Sequence, residues 1–335
     1  MSTFKEIRGQ LIKSLSSDPS PAAAGDMWYN STSQTLKGVV LSGAWSSGNN
    51  MNVKRSATIA GTVTAGLASF GYIYPPSSPE GQSVLTEEYN GTNWTAVNNA
   101  NTARYQVNST GSQTAAVVLG GASPIKSDFE SYDGTNWTSL TSLPAGRAGS
   151  IPMCGISTAV LATGGNDNVS GEPIDTTFEW DGSSWTTGTS YPTSTNNMTA
   201  VGTQTAALFA GGSTNAPGST KTANAFTYDG TNFSSTGSLP VASAQLGGRS
   251  GTQTAALFAG GESPINNVTL DWNGSVFAVN PASPGVSRPS IGQQSMSNSG
   301  NTATSALVAA AGGTPNFLAT EEYNTAAATQ TFTTS

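Results

Sequence analysis

Gly202–Gly212 and Gly251–Gly261 carry one string, GTQTAALFAGG, and its recurrence decides the fold. Related apolar runs ending in or near glycine occur along the whole chain. Their glycines Gly71, Gly121, Gly165, Gly212, Gly261 and Gly313 are separated by 50, 44, 47, 49 and 52 residues. A period of about 40 to 50 residues is that of one four-stranded propeller blade per repeat. In Thr203–Gly212 a polar alternation runs into small and apolar residues, the pattern of a strand that becomes buried, and the blade's first strand is expected just before each run. Small residues dominate there because strands crowd together toward a propeller's axis.

The other half of the repeat is an aromatic hairpin. It reads YNGTNW at Tyr89–Trp94, YDGTNW at Tyr132–Trp137, WDGSSW at Trp180–Trp185, YDGTNF at Tyr228–Phe233 and WNGSVF at Trp272–Phe277. Asn-Gly and Asp-Gly tolerate the positive φ of tight turns, so each copy is expected to reverse the chain between two outer strands. The two aromatics then meet across the turn, where such pairs stabilise a sheet by roughly 0.2–1 kcal/mol. An arginine marks three copies, since Trp45 to Arg55, Trp94 to Arg104 and Trp137 to Arg147 each span ten residues.

The sixth copy is defective. Tyr323-Asn324 is followed by Thr325 where the turn glycine belongs, and Ala328 replaces the second aromatic. The stretch around Ala44–Ser47 is therefore expected to supply the outer strand of the last blade, so that both termini build one sheet and remove the frayed edge of an open ring. The competing reading gives that place to Thr329–Ser335, through Phe332.

Composition suits an exposed scaffold. Only 9% of residues are charged, and the net charge of -7 with 12 Lys and Arg argues against nucleic acid and anionic membranes. No run is apolar enough to cross a bilayer, and Met1–Ser20, with charges at Lys5, Glu6, Arg8 and Lys13, has no unbroken apolar stretch that a secretory signal would need. Cys154 is the single cysteine and reads as a small core residue. The chain has no histidine, which removes the commonest general base and the usual copper ligand. Glu87-Glu88 and Glu321-Glu322 are adjacent along strands, so their side chains diverge and neither pair converges on a substrate.

Residues 1–43 stand outside the repeat. Phe4, Ile7, Leu11, Ile12 and Leu15 recur at helical spacing. Gly25–Asn30, a polar turn at Ser31–Gln34 and Leu36–Val40 read as a β-hairpin. One reading makes this segment a cap on the ring. The other makes it a docking element for another subunit, through Phe4, Ile7, Leu11, Met27, Trp28 and Tyr29, because so short a segment cannot bury its apolar face alone.

GDMWYNSTSQTLK, beginning at Gly25, resembles the short N-terminal module of bacteriophage fibre and virion structural proteins. Together with NTARYQV at Asn101–Val107, the GTQTAALFAGG runs and EEYNGTNW, it is similar to the kelch-like repeat proteins of marine phages, cyanophages especially. That resemblance implies a virion component, made in the host cytoplasm: a tail fibre, a tail-associated protein or a head-surface appendage present in multiple copies. Its partners would be other virion proteins, bound through residues 1–43, and a host surface glycan or protein. No cofactor is implied. Kelch propellers include copper radical oxidases and other propellers are sialidases, but SYDGTNW at Ser131–Trp137 is one residue short of a sialidase Asp-box and reads as a structural turn.

The expectation is an all-β protein: a short N-terminal helix and β-hairpin attachment segment over 1–43 and a six-bladed kelch-like β-propeller over 44–335. The loops following the glycine runs vary most, and variable loops on a repeated scaffold are where recognition usually lives. Tyr72, Tyr74, Lys126, Asp167 and Asn215 are the contact candidates there. Asp167, Glu172 and Asp175 are a weaker cation candidate, matching no known calcium loop. An adhesive, carbohydrate-binding module outside phages and a glycan-cleaving enzyme are the alternatives.

Overall fold

In the computed structural model the described residues are 12–23, 25–75, 81–122, 124–148, 151–167, 169–214, 220–246, 248–261, 268–282, 299–300, 304–311 and 318–332, and they are all-β. The chain divides into two compact units, Met1–Ala44 with Asn324–Ser335, and Trp45–Tyr323. The sequence placed 324–335 with the repeats. In the structure the strand Ala319–Phe332 begins among residues of the larger unit, and its residues from Asn324 on belong to the smaller one.

In the larger unit, successive repeats give antiparallel sheets of four hairpin-connected strands. Sheet I comprises Thr58–Thr62, Ala65–Ser69, Thr86–Tyr89 and Trp94–Val97, and sheet II comprises Asn108–Ser112, Ala115–Leu119, Phe129–Tyr132 and Trp137–Ser139. Sheet III is Met153–Ile156, Ala159–Thr163, Thr177–Trp180 and Trp185–Thr187; sheet IV is Thr199–Thr203, Ala206–Ala210, Ala225–Tyr228 and Phe233–Ser235. Sheet V is Gly248–Gly251, Ala256–Ala259, Thr269–Trp272 and Phe277–Asn280, with Ser299–Gly300 added parallel to its first strand.

Sheet VI takes Ser305–Ala311 and the start of Ala319–Phe332, and its outer strand is the end of Thr35–Gly48. Trp45 stacks on Tyr323 at 5.3 Å, and Ser46 Oγ donates to Glu322 O. Trp45 Nε1 bonds Thr269 Oγ1 of sheet V just as Trp94 Nε1 bonds Thr320 Oγ1 and Trp137 Nε1 bonds Thr86 Oγ1. The ten-residue spacing to Arg55 thus identified a true outer strand. Phe332 lies instead in the smaller unit, where a Cβ on Gly38 would meet its Cε2 at 2.9 Å.

The repeated string is not one strand. Thr203 ends an inner strand, Gln204-Thr205 is the turn, and Ala206–Ala210 returns beside it. Gly202 has φ 104°, and a Cβ there would lie 2.2 Å from Ala206 O, so only glycine fits. The returning strands are apolar throughout because both faces are buried. Ala116 and Val118 pack toward sheet I with Leu67 and Phe70, while Val117 and Leu119 pack toward sheet III with Met153 and Val160. Similar clusters join III to IV, IV to V and V to VI, and Leu307 and Ala309 of sheet VI meet Ile59 and Ala68 of sheet I. The inner strands touch in the same cyclic order, which is a β-propeller-like arrangement.

The outer hairpins pair Tyr89 with Trp94, Tyr132 with Trp137, Trp180 with Trp185, Tyr228 with Phe233 and Trp272 with Phe277, as expected. Positive φ falls on the glycine alone, and the preceding Asn or Asp carboxyl or amide oxygen accepts two backbone N–H groups, as Asp133 does from Thr135 and Asn136 at 2.8 and 2.7 Å. SYDGTNW is accordingly a structural turn.

In the smaller unit Met27–Asn30 pairs antiparallel with Thr35–Gly38, confirming the hairpin. The helical spacing was misleading at its end, since Lys13–Leu15 is a strand lying parallel to Trp28–Asn30. Ile12 and Leu15 are part of this edge; Phe4, Ile7 and Leu11 lie outside the described residues. Asp18 ties the unit together, accepting from Trp28 Nε1 at 3.0 Å, Asn30 Nδ2 at 2.7 Å and Lys37 Nζ at 2.8 Å. Those donors, Lys37 foremost, hold its carboxyl at about 2, below the ordinary range.

Candidate functional site

Three places carry the chemistry that the sequence singled out. The first is the exposed side of the smaller unit. Alternation along Met27–Asn30 turns Met27 and Tyr29 outward, each a little over a third exposed, while Trp28 is buried. Trp28 is therefore a core residue and not a docking candidate, because its indole N–H is spent on Asp18. Among the described residues of this unit, Ile12 and Phe332 are the other exposed large apolar side chains.

The second place is the end of the larger unit formed by the loops after the second strands. Tyr72 lies in a short strand, Tyr72–Ile73, paired with Gly81–Gln82. Its ring is 5.2 Å from Tyr74 and 5.6 Å from Tyr105, which the next sheet contributes. Tyr105 was not anticipated; it follows Arg104, and only the sheet-to-sheet approach brings it to Tyr72. All three rings are half-buried. The Lys126 side chain faces Asp128 at 3.7 Å, while the Lys126 backbone pairs with that of Arg147, whose backbone also pairs with Asp167. The Asp167 carboxylate accepts from Val169 N, Ser170 N and Ser170 Oγ, and these bonds lower its pKa. It is therefore turned onto its own loop. No group of three or more metal-ligating side chains occurs among the described residues. Asn215 lies outside the described residues.

The third place is the set of buried charges. Arg55 pairs with Glu87, and Arg104 Nη2 bonds Glu130 Oε1 at 2.8 Å, both pairs fully enclosed. Burial pulls the arginine pKa values down and the carboxylates oppose it. Asn52 N and Asn101 N cap the second carboxylate oxygens at 2.8 and 2.9 Å. Both oxygens of each carboxylate are thus engaged, and both side chains are enclosed. Glu88, next to Glu87, points the other way and accepts from Tyr132 of the following sheet at 2.9 Å. Tyr89 and Tyr228 donate in the same manner to Glu322 and Glu179. Burial, then the neighbouring carboxylate, raises the pKa of all three phenols, so they remain donors. The paired glutamates thus serve packing, one within a sheet and one between sheets.

No family model matches the chain, and no curated protein does. Among solved structures it is similar to one described as "Structure of YjhT", with a TM-score of 0.61 and 15% identity over 82% of this chain and 97% of that one. The likeness is one of fold, and with the arrangement of sheets above it places this chain among all-β, β-propeller-like proteins.

Proposed function

We propose that this chain is a non-enzymatic phage virion structural protein: a six-bladed kelch-like propeller, attached through its N-terminal segment and displaying its loops toward the host surface. The observation that carries this reading is that the leading residues group with Asn324–Ser335 in a compact unit apart from the repeats, on whose hairpin Met27 and Tyr29 are exposed. Exposed aromatic and methionine side chains are the usual anchors of protein interfaces. The blade count is supported by the cyclic succession of sheets I to VI and their clusters. A role without catalysis is supported by the engagement of both oxygens of the buried Glu87 and Glu130 carboxylates.

The test is incorporation. The full chain with Met27→Asp and Tyr29→Asp is expected to keep the melting profile of the unaltered protein and to be missing from purified particles, read by mass spectrometry. Incorporation at the unaltered level would overturn the docking surface, and absence of the unaltered chain from particles would overturn the virion assignment.

The Tyr72, Tyr74 and Tyr105 cluster favours a second reading, a carbohydrate-binding module, since clustered half-exposed rings stack on sugars. Binding on a glycan array that Tyr105→Ala abolishes, without incorporation into particles, would select it. Cleavage of the bound glycan would select the enzyme.

A further inference from the structure

The outer hairpins share one backbone turn but not one chemistry. Asp133, Asp181 and Asp229 precede the turn glycine in sheets II, III and IV, whereas Asn90 and Asn273 precede Gly91 and Gly274 in sheets I and V. In every copy the side-chain oxygen accepts from the backbone N–H groups two and three residues on. Asn90 Oδ1 accepts from Thr92 N at 3.0 Å and Asn93 N at 2.8 Å. Asn273 Oδ1 accepts from Ser275 N, Ser275 Oγ and Val276 N, each at 3.0 Å.

The two asparagine turns bring together what an intramolecular acyl transfer needs. Both asparagines are exposed to water. The N–H groups of Gly91 and Gly274 bond no acceptor among the described residues, so their protons are open to hydroxide. Glycine carries no side chain to hinder the approach of its nitrogen to the preceding Cγ. When that nitrogen adds to Cγ, negative charge develops on Oδ1, the atom that the turn's donors already hold, and donors placed where charge develops lower a barrier. The glycine N–Cγ bond forms, the Cγ–Nδ2 bond breaks, and ammonia leaves with a proton from water. Water then cleaves the new bond of the cyclic imide, restoring the main chain. The net change is amide plus water to acid plus ammonia.

The product is aspartate, which the turns of sheets II to IV already accommodate. Cleavage at the main-chain carbonyl instead would insert a methylene into the hairpin and part the aromatic pairs Tyr89–Trp94 and Trp272–Phe277. In the aspartate turns the same backbone donors, foremost the N–H three residues on, lower the pKa of Asp133, Asp181 and Asp229. Those side chains stay ionised, and a carboxylate resists attack by an amide nitrogen.

We propose that Asn90 and Asn273 are self-modification sites of the folded protein, converted within their own turns to aspartate with loss of ammonia. Each conversion adds one negative charge to the net charge of -7.

The test incubates the full, folded chain in heavy-oxygen water at mildly alkaline pH and maps its peptides by mass spectrometry. Residues 90 and 273 are expected to become labelled acids. Asn136, exposed in an equivalent turn but followed by Trp137, should stay an amide, and Asp133, Asp181 and Asp229 should take up no label. On ion exchange the end product should co-elute with Asn90→Asp/Asn273→Asp, which should keep the melting profile of the unaltered protein. Absence of label at either site in the folded chain, with or without label in urea, would overturn the proposal. So would equal labelling of the aspartate turns, isoaspartate as the main product, or a lowered melting temperature of the double variant. The incorporation assay does not involve these hairpins, so the two proposals fail separately.

Discussion

The seam between sheets I and II and the seam between sheets II and III occupy equivalent positions in the repeat, yet they are held differently. Across the first, Tyr132 donates to Glu88, Gln113 Nε2 donates to Gly66 O and Tyr89 O at 2.9 and 3.0 Å, and Arg104 stacks over Phe70 while paired with Glu130. Across the second, the residue matching Glu88 is Ser131, the one matching Tyr132 is Trp180, and the one matching Gln113 is Ser157. Phe178 stands where Glu130 stands, with Arg147 over its ring at 5.3 Å. An apolar cluster of Val117, Leu119, Phe129, Met153, Val160 and Trp180 fills that seam. Hydroxyl and carboxylate are present together or absent together. Sheet IV repeats the first kind through Tyr228 and Glu179, and sheet V the second through Trp272 opposite Thr227. Backbone geometry is what the repeat keeps; polarity at the seam is free to vary, provided both partners vary.

That comparison breaks most visibly at Glu130. Removing it with Glu130→Ala leaves the enclosed Arg104 guanidinium with the carbonyls of Gly120 and Asp128 but without its carboxylate, and urea unfolding should show a loss of about 3–5 kcal/mol. Replacing both partners, Arg104→Met with Glu130→Leu, removes the two enclosed charges together, and the stability should return to within about 2 kcal/mol of the unaltered protein. If the double variant is as unstable as the single one, apolar groups cannot replace the enclosed pair.

A smaller effect is expected at Gln113. Gln113→Ala strands two carbonyls of sheet I and should cost about 1–3 kcal/mol by the same measurement. Gln204 and Gln253 bond the preceding sheets in the same way, so their alanine variants should fall in that range. The second seam, with Ser157 in this place, has no such bond to lose.

The smallest effect concerns the hairpin caps. Asp181 accepts from the backbone N–H groups of Ser183 and Ser184, foremost Ser184, and from the Ser183 hydroxyl, which hold its pKa at about 2. Its folded value is depressed, so its contribution is present above the unfolded value near ~4 and is lost as pH falls toward 2. The melting temperature of Asp181→Asn should lie slightly below that of the unaltered protein at neutral pH, and the gap should close between those two values. A gap independent of pH would show that the cap does not need its charge.

Much of this was legible in the chain. The glycine spacing gave the sheets, the YNGTNW family gave the outer hairpins and their aromatic pairs, and Trp45 was placed by its distance from Arg55. The Tyr-with-Glu and Trp-with-Ser or Thr alternation was also readable, since it links each hairpin to the one before. It is inconspicuous because the partners lie about 44–49 residues apart, and only the approach of neighbouring sheets brings them together. The helical spacing from Phe4 to Leu15 misled at its described end, because a parallel partner at Trp28–Asn30 outweighs a weak local preference.

By itself the sequence determined the repeated elements, because Gly202, Asp133 and their equivalents impose local backbone geometry that needs no distant partner. Tertiary structure alone decided what meets across the sheets: Arg249 reaching Asn108, Tyr105 joining Tyr72, and the final strand leaving the sheets to lie with the leading hairpin. Such contacts connect residues far apart in the chain, and their energies depend on burial and on the partner's position, which no local pattern encodes.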